Sequence, residues 1–181
     1  MKGAIKEFLQ SLVIAGILAF FIITFVAQSF VVDGNSMADT LQNGERLFVN
    51  KFIYRINPPE RGDIIVFSPQ GAPAQKYIKR VIGLPDDTVY IKDGVTYVNG
   101  EAIEEDYIKE KAIGDFGPYE VPEESVFVLG DNRNHSADSR FDSIVGFVDY
   151  DSISGKAFWV YWPLNEMRLI EHHDYDLSFE N

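Results

Sequence analysis

Ser36 and Lys79 are residues of types that can perform nucleophilic chemistry, one as a nucleophile and the other as a base. Ser36 follows Gly34-Asn35 in a polar turn, where a serine is most often only a turn residue. Its hydroxyl becomes a nucleophile for acyl transfer where a neighbouring base removes the proton. The chemical question is therefore which residue of the chain could be that base.

Lys79 lies in the apolar stretch Tyr77–Pro85, which is typical of a strand. Period-two alternation places apolar neighbours on both faces, as in a strand that is covered on each side. A lysine in that position commonly extends its ammonium group to water. If it is held inside, burial lowers its pKa, so that it can accept a proton near neutral pH.

The segment Gly130–Arg140 is a polar loop that follows the apolar residues Val126–Leu129. A calcium loop is disfavoured, because Arg133 and His135 occupy the third and fifth positions of the motif, where oxygen ligands are required. The loop is therefore predicted to be a functional or heavily hydrogen-bonded segment without calcium.

A Ser-His-Asp triad is the alternative to a lysine base. The chain supplies Ser36, His135 and either Asp131 or Asp138, and triads have no fixed order along a sequence. His135 ranks below Lys79 as the base, because a histidine in so polar a loop is more often a surface residue.

The composition excludes several classes of protein. A formal net charge of −12 argues against nucleic-acid binding, which needs a basic surface. With no cysteine in the chain, a disulfide scaffold, a cysteine protease and a thiolate zinc site are excluded.

The N-terminus resembles a membrane anchor. Lys2 and Lys6 precede the apolar stretch Leu12–Ala27, which with its flanks approaches the roughly 20 residues of a spanning helix. A signal peptide cleaved near Ala27-Gln28-Ser29 and a buried core helix are less favoured alternatives. The positive-inside rule then predicts a cytoplasmic N-terminus and an extracytoplasmic remainder.

After the anchor, short β-branched and apolar segments predict a mainly β domain of antiparallel strands. Lys92–Val95 and Val98–Glu101 are typical hairpin turns, and the prolines are expected between strands. The predicted strands are Leu47–Tyr54, Asp63–Phe67, Tyr77–Ile82, Thr88–Ile91, Val95–Val98, Ser125–Leu129 and Ala157–Trp162.

The predicted organisation is a cytoplasmic N-terminus (1–7), a transmembrane anchor (8–29), a catalytic β domain (30–84 and 122–165), an inserted β-hairpin subdomain (85–121) and an acidic C-terminal tail (166–181). We expect the tail to be solvated. His172 and His173 are adjacent on an extended segment and should point to opposite faces, which disfavours a metal site there.

Four motifs of this sequence together resemble those of the type I signal peptidase family. The family patterns are S-M-x-P-T-L, G-D-x-x-x-F, K-R and G-D-N-R-x-x-S-x-D-S-R. They correspond in order to Ser36–Leu41, Gly62–Phe67, Lys79–Arg80 and Gly130–Arg140. The resemblance extends from the anchor to about Leu164.

The resemblance implies a serine endopeptidase with Ser36 as nucleophile and Lys79 as general base. Ser136 would orient the lysine, and the Ser36 N–H would contribute to the oxyanion hole. Asp131, Asp138 and Arg140 would brace the site. Candidate oxyanion or substrate-binding residues are Gly34, Met37, Tyr77 and Ile78.

The implied reaction is removal of N-terminal signal peptides from exported precursors after small-x-small sites such as Ala-x-Ala, without metal or cofactor. The implied partners are these precursors, membrane lipid and the export machinery, at the outer face of the cell membrane. The aromatic segment Phe158–Leu164 is either a core strand or a surface that rests on the bilayer.

Two departures from the family pattern leave an alternative function open. Asp39 replaces the proline of the nucleophile motif, and a carboxylate near Lys79 would raise the pKa of the lysine. Asp86 replaces a glycine that is frequent in the family, so the turn there is expected to be rearranged. The alternative is a catalytically weak or inactive homologue that acts as an anchored binding or assembly module.

Overall fold

The computed structural model describes residues 2–25, 27–38 and 40–178, and within them one α-helix precedes a β-rich body. The helix is α1 (Lys2–Phe25). The strands are β1 (Ala27–Val31), β2 (Arg46–Asn50), β3 (Ile64–Phe67), β4 (Tyr77–Gly83), β5 (Thr88–Lys92), β6 (Val95–Val98), β7 (Glu101–Ala102), β8 (Phe116–Glu120), β9 (Ser125–Leu129), β10 (Val148–Asp149), β11 (Ile153–Trp162) and β12 (Arg168–Leu169).

The strands form two antiparallel sheets. The larger sheet has the order β1-β2-β11-β3-β4-β9-β10, with β12 paired to β11. The smaller sheet has the order β7-β6-β5-β8 and comes from the chain between β4 and β9. The mainly β, antiparallel fold of the sequence analysis is thereby confirmed, while the domain boundaries at residues 85 and 121 stay a prediction.

Strands β3, β4 and β9 form the part of the larger sheet that positions Lys79. Every residue of β3 and β9 is buried, which explains why β3 and residues Val126–Leu129 of β9 are continuous apolar runs rather than alternating ones. In β4 the pairing sets Lys79 opposite Ile65 of β3, and Arg80 opposite Leu129 of β9. The backbone of this strand is therefore fixed from both sides.

The hairpin turns form as expected at their Asp-Gly and Asn-Gly pairs. Asp93 and Gly94 have φ of 52° and 75°, and Asn99 and Gly100 have φ of 51° and 87°. The expected rearrangement at Asp86 is wrong. Asp86 itself adopts a φ of 68°, because the short aspartate side chain tolerates the left-handed region.

Two assignments near strands need correction. Ala27–Ser29, assigned to the end of the anchor, belongs to β1 and pairs with β2, because its polar residues can face solvent on an edge strand. Pro118 lies inside β8 rather than between strands. It is tolerated there because β8 is an edge strand, which has a free side for a residue without an N–H.

Helix α1 covers most of the segment that the sequence analysis assigns to the anchor. Among residues 2–25, 27–38 and 40–178, no helix has the length and apolar character needed to cross a membrane. The transmembrane helix and its orientation therefore stay predictions.

The sequence analysis expected a solvated C-terminal tail, but part of the tail is buried. Tyr175 and Leu177 are buried, 8% and 3% exposed, in the core of the smaller sheet, while Asp174 before them and Asp176 between them face solvent. The alternation of apolar and acidic residues could have indicated this burial, because an extended segment with that pattern can bury one face. The high acidic content of the tail pointed to solvation instead.

Candidate active site

The turn that carries Ser36 is anchored from both ends. The chain before it is bound to the residues just before β2 by two hydrogen bonds of 2.8 Å, from Val32 N to Glu45 O and from Gly44 N to Val32 O. Immediately after Ser36, Met37 is only 1% exposed and packs in the core beneath the turn. A rigid support therefore holds a partly exposed serine.

The Lys79 ammonium group points at this serine. Its Nζ lies 2.7 Å from Ser36 Oγ and donates a hydrogen bond of 2.8 Å to the carbonyl of Ile78. The residue is only 3% exposed. Burial lowers the pKa of Lys79 from 10.5 to about 8, against the opposing influence of the Asp138 and Asp131 carboxylates.

A cleft of about 500 Å³ opens beside the Ser36–Lys79 pair. Tyr77 and Ile78 lie in its wall, where the sequence analysis put them. Met37 does not lie in the wall, because its side chain packs in the hydrophobic core. The lining residues are Phe30, Val31, Val32, Asp33, Ser36, Leu47, Val66, Gln75, Lys76, Tyr77, Ile78, Lys79 and Ala137.

Gly34 provides turn geometry and not a free donor. Its φ of 97° lies in the region that favours glycine. Its N–H is committed to Asn43 Oδ1 at 2.8 Å. Within the described residues the Ser36 N–H makes no hydrogen bond, so it remains available to a bound oxygen atom.

Asp131 connects the polar loop to both β4 and the serine segment. It accepts hydrogen bonds from Arg80 Nε at 3.0 Å, Arg80 Nη2 at 2.7 Å and Thr40 Oγ1 at 2.5 Å. The next residue, Asn132, donates its N–H to Ser36 O at 3.1 Å and its side-chain amide to Asn35 O at 3.0 Å. The loop thus holds the backbone of the serine turn.

Asp138 and Arg140 brace the same loop from within. Arg140 Nε and Nη2 donate to Asp138 at 2.8 and 2.9 Å, and Gly130 N donates to Asp138 Oδ2 at 3.0 Å. Charge-assisted bonds of this kind are strong in a buried setting, and Asp138 is 0% exposed. These bonds hold the loop together, while the supporting role in the site that the resemblance implies for Asp138 and Arg140 stays a prediction.

Ser136 is near the pair but is not seen to orient the lysine. Its buried Oγ has no hydrogen-bond partner in the described part of the chain, and the Ile78 carbonyl holds Lys79 instead. A backbone carbonyl gives no signal in a sequence, which explains why it was missed. Gly130 packs against both Ser136 Oγ and the Ser36 carbonyl.

Substitution Gly130→Ala should therefore disturb the site directly. A methyl group at this position would lie 2.5 Å from Ser36 O and would also overlap Ser136, so the serine turn must shift. A displacement of about 1 Å in a catalytic group can cost roughly 100-fold in rate. We expect a loss of that order in kcat/KM for peptide cleavage. Activity within about threefold of wild type would contradict the close packing.

Neither His135 nor His172 lies in the wall of the cleft. His135 is exposed and its Nδ1 contacts Asn132 Oδ1 at 3.2 Å, in keeping with its interpretation as a surface residue. Asp39 lies outside the described residues. His172 contributes, with Glu60 and Asp63, ligand atoms that lie within 4.8 Å of one another. The ammonium group of Lys156 already forms an ion pair with Asp63 in this cluster.

Thr40, Arg80 and Glu105 also support the site, although the sequence analysis gave them no role. Thr40 and Arg80 stand inside the quoted motifs, so the motif positions could have indicated them. Glu105, which forms an ion pair with Arg133 of the loop, lies in no recognised pattern. Its contribution depends on the smaller sheet packing against the loop.

A serine hydroxyl in contact with a buried lysine, on an antiparallel β framework beside an open cleft, defines the serine hydrolases that use a lysine as base. A family model described as "Signal peptidase, peptidase S26" matches residues 5–162. Signal peptidase I of Bacillus licheniformis is 40% identical over 92% of this chain and 94% of its own length. Signal peptidase I S of Bacillus subtilis strain 168 is 41% identical with the same coverage, 92% and 94%.

Among solved structures, a signal peptidase I from Enterococcus faecalis V583 is 39% identical, with a TM-score of 0.48, and covers 56% of this chain and 97% of that one. Residues 5–162 of this protein, and about nine-tenths of its length in the B. licheniformis alignment, match the family. The chain belongs to the signal peptidase family, peptidase S26, and is a serine endopeptidase.

Proposed function

We propose that this protein removes signal peptides from exported precursor proteins, cutting after small-x-small sites, with Ser36 as nucleophile and Lys79 as general base. The observation that carries the proposal is the 2.7 Å contact between Lys79 Nζ and Ser36 Oγ beside the cleft. The names of the similar proteins supply the substrate class.

The lowered pKa of Lys79 supports its role as base. With a pKa of about 8, roughly a tenth of the lysine is neutral at pH 7, against fewer than about one in a thousand for a free lysine. Neutral Lys79 accepts the Ser36 proton as Oγ attacks the scissile carbonyl. The resulting ammonium then protonates the leaving amine, and water hydrolyses the acyl-enzyme.

The Ser36 N–H is the proposed oxyanion donor. It is unoccupied among the described residues and belongs to the nucleophile itself, so it faces the oxygen that develops charge during attack. Ser136 is proposed to contact Lys79 once substrate excludes water from the cleft. Its buried and unbonded Oγ is compatible with that role.

The cleft suits an extended peptide with small side chains. Its walls combine Phe30–Asp33, which lead out of edge strand β1, with Gln75–Lys79, which lead into β4. A peptide strand between them would meet Tyr77 and Ile78 near the reacting pair. Large side chains would clash with these walls, which supports selection for alanine-sized residues by exclusion.

We also propose that α1 anchors the protein to the membrane, with its N-terminus in the cytoplasm and the β body outside. Apolar side chains on the helix lack a protein cover: Phe8, Leu12 and Ile17 are 67%, 60% and 60% exposed. Lys2 and Lys6 precede the most apolar part. Exposed Trp162 and Leu164 at the end of β11 could add lipid contact, and the export machinery would supply the precursors.

The full-length protein in detergent should cleave a precursor with an Ala-x-Ala site, and mass spectrometry should locate the cut after the second alanine. A matched precursor with phenylalanine at that position should resist cleavage. Because only neutral Lys79 can accept a proton, kcat/KM should rise with pH and reach half its plateau near pH 8. No cleavage at any pH would favour the anchored binding module instead.

A further inference from the structure

The C-terminal strap, residues 171–178, joins the larger sheet to the smaller one. At its start, His172 Nδ1 lies 3.2 Å from Asp63, just before β3. Further along, His173 Nε2 lies 3.1 Å from Glu104 O, and Ser178 N donates to Glu101 Oε2 at 3.0 Å. Between these contacts the Tyr175 side chain is buried. The strap thus passes over the junction of the sheets.

Tyr107 is the residue that the strap covers at this junction. Its hydroxyl lies 2.9 Å from Glu105 Oε1 and 2.5 Å from the Tyr175 hydroxyl. The Glu105 carboxylate can only accept, so Tyr107 donates to it and Tyr175 donates to Tyr107. The ring of His173 packs edge-on at 4.8 Å. Tyr107 is therefore held in one orientation from two directions.

The ring face of Tyr107 lies over Arg80, with the guanidinium carbon 4.0 Å from the ring centroid. Arg80 follows Lys79 in β4 and makes the paired hydrogen bonds to Asp131. A planar guanidinium stacked on a ring keeps the orientation that a bidentate carboxylate pair requires. Tyr107 thus restrains the arginine that fixes Asp131.

We propose that Tyr107, seated by Tyr175 of the strap, is a positioning residue for the Ser36–Lys79 pair. It acts through Arg80 and Asp131, whose loop holds the Ser36 carbonyl by way of Asn132 N. The inference rests on the proposed function, because it assigns a role in the chemistry of that same pair. It gives the C-terminal segment a part in catalysis although it touches no reacting atom.

Loss of the Tyr107 ring should change the pKa of Lys79, which a mere loss of fold stability would not do. Without the ring, Arg80 keeps its bond to Gly62 O but is less restrained in its paired bonds to Asp131, which leaves the carboxylate less neutralised. Asp131 already opposes the lowering of the pKa of Lys79, so a less neutralised carboxylate raises that pKa further. The rise of kcat/KM with pH should therefore move to higher pH, as well as becoming smaller.

The test compares Tyr107→Leu with Tyr107→Phe and with Val98→Ala in the full-length protein, using cleavage of the Ala-x-Ala precursor across pH. Val98 is 0% exposed in the same core cluster, so Val98→Ala controls for loss of stability. We expect Tyr107→Leu to lose about tenfold in kcat/KM, because a buried cation–π contact is lost. Its half-plateau pH should rise by about half a unit. Tyr107→Phe keeps the ring over Arg80 but loses the hydroxyl contacts with Glu105 and Tyr175, so its midpoint should shift less than that of Tyr107→Leu.

A Tyr107→Leu profile that matches Val98→Ala in midpoint and rate would overturn the inference while leaving the proposed function intact. If Tyr107→Leu does not fold, Tyr175→Ala decides, because it removes the strap's contact without altering the smaller sheet's strands. An upward midpoint shift in Tyr175→Ala supports the inference, and an unchanged midpoint overturns it. Failure of the wild type to cleave would remove the proposed function and this inference together.

Discussion

Ser36→Ala is expected to reduce kcat/KM for precursor cleavage by roughly 10⁵- to 10⁶-fold, to the background left by substrate binding and the oxyanion donor. The reason is geometric. Within the described residues, Ser36 Oγ is the hydroxyl that contacts the Lys79 amine, so removal of Oγ leaves the base without a nucleophile to activate. The variant should still fold, because Ser36 is only partly buried.

The measurement is cleavage of the Ala-x-Ala precursor by full-length Ser36→Ala beside Ser68→Ala as a matched control. Ser68 is also hydrogen-bonded by a lysine, since Lys76 Nζ donates to its Oγ at 2.7 Å, but that lysine is exposed. The control should retain activity within about threefold. Equal activity of Ser36→Ala and Ser68→Ala would refute Ser36 as the nucleophile.

Lys79→Met is expected to lower kcat/KM by roughly 10⁵- to 10⁶-fold, since nucleophile and base act as a unit and the remaining catalysis resembles that of the serine variant. Methionine has a similar length and fills the buried site without a titratable group. The residual rate should also lose the rise with pH that is centred near pH 8 in the wild type. A residual rate that keeps this rise would assign the base to another residue.

The same substitution should stabilise the fold. The pKa of Lys79 falls from 10.5 to about 8 on folding, so the unfolded chain binds more protons between these values. The unfolding free energy of the wild type therefore rises as pH increases from about 8 to 10.5, and the full penalty applies below pH 8. Lys79→Met should gain up to about 3 kcal/mol at pH 7, with the gain vanishing near pH 10.5.

Urea unfolding in detergent, followed by the fluorescence of Trp159 and Trp162, would measure this gain at pH 7 and pH 10. Lys76→Met is the matched control, because Lys76 lines the same cleft but is exposed. The control should change the unfolding free energy by less than about 0.5 kcal/mol. A loss of stability in Lys79→Met at pH 7 would show that burial of the charged Lys79 amine does not destabilise the wild-type fold.

Much of the fold follows from local patterns. The Asp93-Gly94 and Asn99-Gly100 turns were predictable because their positive φ values depend on the residues themselves. The β segments around Lys79 were predictable because they are short runs rich in β-branched and apolar residues. The nucleophile and base could likewise be named from motifs, since motif residues keep their order and spacing along the chain.

Other features needed distances between residues remote in sequence. Lys79 is 43 residues from Ser36, and Tyr107 is 68 residues from Tyr175, so their contacts depend on how the sheets pack. The same packing places Met37 in the core rather than in the cleft wall. The packing also lets the Ile78 carbonyl orient the Lys79 side chain. Because every residue has a backbone carbonyl, the sequence could not indicate this one.

The sequence by itself thus determined the mainly β class and the family, and it named the two side chains proposed to react, because these follow from local residue patterns and motif order. Only the tertiary structure decided that Lys79 is buried and directed at Ser36. It also decided that the acidic C-terminal segment packs over Tyr107 and Arg80. Burial and its effect on pKa arise from the packing of distant segments, which local residue patterns do not contain.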